Sequence, residues 1–140
     1  MEQETTLHEL QGSRILEYPV EGSPLGSASS SLEMIGAARS QRAELVAIPV
    51  ERLGGEFFHL HNGIAGEVLQ KFVTYQMRVA IVGDISVHSH ASKALRDFVV
   101  ECNRGSDLWF VRNFEELTER LHQFHSATNH SHGSVVSGTA

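Results

Sequence analysis

Two alternate-residue histidine pairs, His59/His61 and His88/His90, are the most reactive-looking features of the chain, and Asp84 stands shortly before the second pair. An unperturbed imidazole titrates near neutrality, so His88 or His90 is a candidate general base. Asp84 or Asp97 would be the carboxylate that orients it. No serine or cysteine stands in a recognisable nucleophile motif. The same histidines can ligate zinc, nickel or copper, but a site needs three or four converging ligands. His59, His61, His88 and His90 would reach that count only if their two loops meet. On ligand count, surface histidines are the better account of all four, so no metal and no cofactor is expected.

A second chemistry is anion or ligand binding at Asn62-Gly63-Ile64-Ala65-Gly66. The start of a helix presents unpaired N–H groups and a partial positive charge. Asn62 can cap such a helix, and Gly63 and Gly66 let a ligand approach the backbone. Asp84, Ser92 and Arg96 would join this surface, because ligands of open α/β sheets sit beyond the carboxyl ends of the strands. Tight helix–strand packing is the plainer account of both glycines. The chain has no GxGxxG and no Walker lysine, so dinucleotide and nucleoside triphosphate binding lack their usual signal.

The elements that must hold these residues are legible as periods and punctuation. Residues 5–10 and 14–20 flank Gln11-Gly12-Ser13 and read as a β-hairpin, with Pro19 near its end. Residues 22–31 form a Gly/Ser loop. A helix over 32–41 packs Leu32, Ile35 and Ala38, and residues 44–50 form a buried strand. Ile64, Val68, Leu69, Phe72 and Val73 recur at helical spacing, and Arg78 to Val82 follows as a continuous apolar strand. Ser92 caps a helix over 93–103 with Leu95, Phe98, Val99 and Cys102 on one face, closed by Gly105 in the left-handed conformation. Residues 107–111 are the last strand. Asn113 caps a final helix to about Phe124, with Glu115 and Glu116 in its first turn and Leu117 and Leu121 inward. Residues 125–140 are small and polar and read as a disordered tail. The order is a hairpin followed by α-β-α-β-α-β-α, an α/β domain over 1–124 with a mixed, partly parallel sheet.

The 140 residues suit one domain with a single core, and the net charge of −6 disfavours nucleic acid and anionic membrane as partners. One cysteine excludes an internal disulfide framework and fits a cytoplasmic protein. No charged-then-apolar leader pattern and no membrane-length apolar run is read in these residues, so neither a leader nor a membrane span is expected.

That element order resembles the STAS-like fold of anti-sigma factor antagonists. A closer resemblance, over about residues 14–121, is to a bacterial domain family of unknown function, number 4180. GIAGEVLQKF (63–72), RVAIVGD (78–84), SKALRDFVVECNRG (92–105) and WFV (109–111) carry it. The family implies a fold and no activity. In STAS regulators a serine just before the glycine at this helix start is reversibly phosphorylated; here Asn62 holds that place. The expectation is therefore a cytoplasmic, non-catalytic regulatory or interaction module that binds a protein partner or small ligand near Asn62, without a phosphoryl switch. The alternative is a small or metal-assisted enzyme using the loop histidines and Asp84. An edge strand would allow homodimerisation.

Overall fold

The structure, a computed structural model, describes residues 5–22, 28–53, 55–59, 63–86, 88 and 92–133. Its frame is a five-stranded mixed sheet in the order β1-β2-β3-β4-β5, where β1 is Thr6–Leu10, β2 Ser13–Glu17, β3 Leu45–Pro49, β4 Arg78–Val82 and β5 Leu108–Val111. β1 is antiparallel to β2, and each later strand lies parallel beside its predecessor. The hairpin turns through Gln11 and Gly12, both with positive φ (51° and 82°), the type I′ geometry that matches strand twist.

Among the described residues, four α-helices connect and cover the strands: α1 (Ala28–Ser40), α2 (Ile64–Thr74), α3 (Lys93–Arg104) and α4 (Phe114–Gly133). Right-handed crossovers between sequential parallel strands place the connecting helices on one face. Met34 and Ala38 of α1, Val68 and Phe72 of α2 and Leu95 of α3 accordingly share a core with Leu16, Val46, Ile48, Val79, Ile81 and Phe110. Alternate strand residues point the other way, where Ile15, Leu45, Ala47, Ala80, Trp109 and Val111 meet Leu117 and Leu121 of α4. A sheet covered on both faces explains the unbroken apolar strands.

Several local expectations shift. The helix expected over 32–41 begins at Ala28, and its buried face is Ser31, Met34, Ile35 and Ala38, leaving Leu32 41% exposed. That face has the i, i+3, i+4, i+7 spacing, and Leu32 falls one residue round from it. Val73 of α2 is likewise exposed, while Ala65, Val68 and Phe72 are buried. The capping position of α2 is Gly63 (φ 81°), with no side-chain bond, and Asn62 lies outside the described residues. Gly105 ends α3 in an extended conformation (φ −95°, ψ −161°), not the left-handed one, its N–H donating to Cys102 O at 3.1 Å. The last helix, expected to end near Phe124, runs to Gly133. Propagation costs little once a helix exists, and no proline interrupts that stretch. Among the described residues, no helix is long and apolar enough to cross a membrane.

Candidate functional site

Strand register decides which loops meet. Val82 at the end of β4 is opposite Val111 at the end of β5, so Gly83–Ser86 and Arg112–Glu116 leave the sheet side by side. The first segment is held by an Asx turn, in which the Ser86 N–H donates to Asp84 Oδ1 at 2.9 Å. The second is held by the start of α4: Asn113 Oδ1 accepts the Glu116 N–H at 2.8 Å, and Glu116 Oε1 accepts the Arg112 N–H at 2.7 Å. This exchange is close to a capping box. Arg96 comes from the first turn of α3, which Ser92 caps by accepting the Leu95 N–H at 3.1 Å.

Between these segments lies a concavity of about 390 Å³. Its floor is apolar: Ile85, Val99, Val100, Phe110 and Val111. Its rim carries Asp84, Ser86, Arg96, Arg112 and Glu116. Val100, in that floor, is 50% exposed, an apolar side chain left open to solvent beside charged residues. The Arg112 Nε is 3.5 Å from Glu116 Oε1, but the arginine side chain is 83% exposed and keeps most of its donors toward solvent. On the outer side of α3, Lys93 hydrogen-bonds Asp97 at 2.8 Å and holds that carboxyl below its ordinary pKa.

Of the residues expected to bind a ligand, Asp84 and Arg96 are brought together here. Ser92 spends its hydroxyl on the α3 cap. Gly63 and Gly66 are exposed, and neither lines this concavity. Of the histidines, His61 and His90 lie outside the described residues, and His59 is exposed. The His88 ring stacks on Phe58, with centroids 4.1 Å apart and planes 10° from parallel, so one of its faces is covered. Among the described residues, no three His, Cys, Asp or Glu side chains are grouped to hold a metal ion. Cys102 is half-buried, and burial pushes its thiol up to about 11. The reactive thiolate is thereby suppressed at neutral pH.

Arg112, Glu116, Val99 and Val100 belong to this surface, whereas the sequence points to Val99 and Glu116 only as a helix-face and a first-turn residue and to Arg112 and Val100 not at all. The signal available was positional, since Arg112 and Glu116 follow the end of a parallel strand as Asp84 does. A second concavity of about 430 Å³ crosses the ends of β2 to β4. Its ionisable lining is Glu17, Tyr18 and Glu51, and Glu17 is already paired with His8 at 2.7 Å.

A family model described as a domain of unknown function (DUF4180) matches residues 10–121. No curated protein and no solved structure matches the chain.

Proposed function

The chain belongs to the DUF4180 family, and on that premise we propose that it is a non-catalytic interaction module whose working surface is the concavity at the ends of β4 and β5. The observation that carries this reading is the pairing of an apolar floor, with Val100 half exposed, and two arginines at its rim. The rim acids are partly spent internally, Asp84 on the Ser86 N–H and Glu116 on the Arg112 N–H. Arg112 keeps most of its donors toward solvent, and a partner suited to it is a protein segment that carries an apolar side chain next to a carboxylate. The module would regulate by occupancy of this surface. It would act from the cytoplasm, an inference supported by its single cysteine and acidic balance.

The same premise extends to the fold. A STAS-like assignment is supported by the sequential parallel order of β2 to β5 and by the three connecting helices sharing one face. Relative to the expectation at Asn62, the proposed surface moves from the start of α2 to the start of α3 and α4. The enzymatic alternative would rest on Asp84 with His88 and His90, and the stacking of His88 on Phe58 gives it no geometric advantage.

A photoreactive amino acid placed at Val100 in the cells that make the protein tests the reading. One crosslinked species is expected from that position and none from Gln70 on α2, and Arg96→Glu should abolish it. Equal crosslinking from both positions, or none from Val100, would contradict the assignment.

A further inference from the structure

The two edges of the sheet are treated differently. Along β5, the carbonyls of Asp107 and Val111 accept from Val79 and Gly83 at 3.0 and 2.9 Å, so Phe110 and Arg112 turn their backbone groups outward. Both are occupied by side chains. The Asn103 amide accepts the Phe110 N–H at 2.7 Å and donates to its carbonyl at 3.3 Å, and Glu116 takes the Arg112 N–H. That edge is plugged in its second half, at Phe110 and the Arg112 N–H.

The β1 edge is not. Arg14 O accepts the Glu44 N–H at 2.8 Å and Tyr18 N–H donates to Ala47 O at 2.9 Å, so Arg14, Leu16 and Tyr18 face β3. Ser13, Ile15 and Glu17 then face β1, where their register partners are Leu10, His8 and Thr6. Alternation leaves Leu7 and Glu9 with N–H and carbonyl groups pointing away from the sheet. The strand has no proline, no lysine and no bulge in its register, and Glu9 is its one acidic residue.

We propose that this edge pairs antiparallel with the β1 edge of a second copy of the chain, with the two-fold axis at Leu7. The side chains select both the occupant and the register. An axis at Glu9 would oppose two carboxylates, and like charges directly opposite destabilise a pair; one at His8 would set Glu9 against Leu7. An axis at Leu7 opposes two leucines, sets Glu9 against the second copy's Thr5 hydroxyl and sets His8 against its Thr6. Each His8 keeps its own Glu17 at 2.7 Å. With the axis at Leu7 the strand is complementary to itself, the condition for a closed isologous dimer. The two sheets become one continuous sheet whose outer ends are the plugged β5 edges.

Sedimentation velocity on the full chain tests this, together with amide exchange at Leu7 and Glu9 followed by NMR. The native chain should sediment as a dimer. Glu9→Pro, which removes an outward N–H and no backbone bond to β2, its exposed carboxylate losing only the 3.4 Å contact with Arg14, should halve the mass while keeping the helical circular dichroism. If that variant fails to fold, exchange in the native chain decides: both amides should be protected, and protection should fall on dilution. A native monomer, a Glu9→Pro dimer, or rapid exchange at both amides would overturn the proposal. Protected amides in a native monomer would also overturn it, by assigning the edge to the chain's own residues.

Discussion

The side-chain amide of Asn103 grips the backbone of Phe110 at both its polar groups, the oxygen accepting the N–H at 2.7 Å and the nitrogen donating to the carbonyl at 3.3 Å. A residue on α3 thereby completes the outer hydrogen bonds of β5, next to the floor of the proposed binding surface. Asn103→Leu would leave two backbone groups without partners beside a buried ring. The expected loss is about 1–3 kcal/mol, with more aggregation than an equally destabilised core variant. Urea midpoints and light scattering check both parts.

Trp109, the only tryptophan, lies between two guanidinium groups, Arg78 at 4.6 Å and Arg120 at 4.5 Å from its ring centroid. Phe124 covers Arg78 at 4.3 Å, and burial lowers the Arg78 pKa. Its Nε donates to Ser106 O at 2.9 Å, but Nη2 is buried without a hydrogen-bond partner. That unmet donor offsets the cation–π gain, so Arg78→Met should change stability by less than about 1 kcal/mol. Unfolding followed by Trp109 fluorescence gives the value, and a loss of several kcal/mol would show that the stack dominates.

The Cys102 thiol should titrate near 11 when folded, against 9.0 for the free group, because burial disfavours the thiolate. A raised acid pKa contributes stability that is complete below the unfolded value and is lost as pH rises between the two. Stability should therefore fall from about pH 9 upward, and Cys102→Ala should remove part of that fall. At neutral pH, iodoacetamide should modify the folded chain far more slowly than the urea-unfolded chain, as read by mass spectrometry.

Arg52 is 8% exposed and ties down the segment after β2, its Nη1 donating to Pro19 O at 2.8 Å and Glu21 O at 2.9 Å. Gly22 sits against this guanidinium with φ 135°, and a Cβ there would fall 2.8 Å from Arg52 Cζ. Gly22→Ala combines backbone strain with that displacement and should cost about 1–3 kcal/mol. Thermal melts should show the loss.

The sequence made much of the frame readable and little of the surface. The hairpin, the caps at Ser92 and Asn113 and the inward positions of Leu117 and Leu121 follow from local chemistry, and each is where that chemistry puts it. Leu32 and Val73 were misplaced because helix phase depends on where the neighbouring strands lie, which no local pattern records. The concavity was half readable: Asp84 and Arg96 stood out, whereas Arg112 and Glu116 reach it only through the register of Val82 with Val111. Register between parallel strands is a tertiary property.

The most direct test of the proposed surface is an NMR titration of the isotope-labelled chain with N-acetyl-leucine, a probe that joins one apolar side chain to one carboxylate. The account predicts saturable shifts confined to Ile85, Val99, Val100 and Val111, weakened about tenfold in Arg96→Ala, which corresponds to roughly 1.4 kcal/mol. Shifts centred on Gly63 and Gly66, or none that saturate, would contradict it.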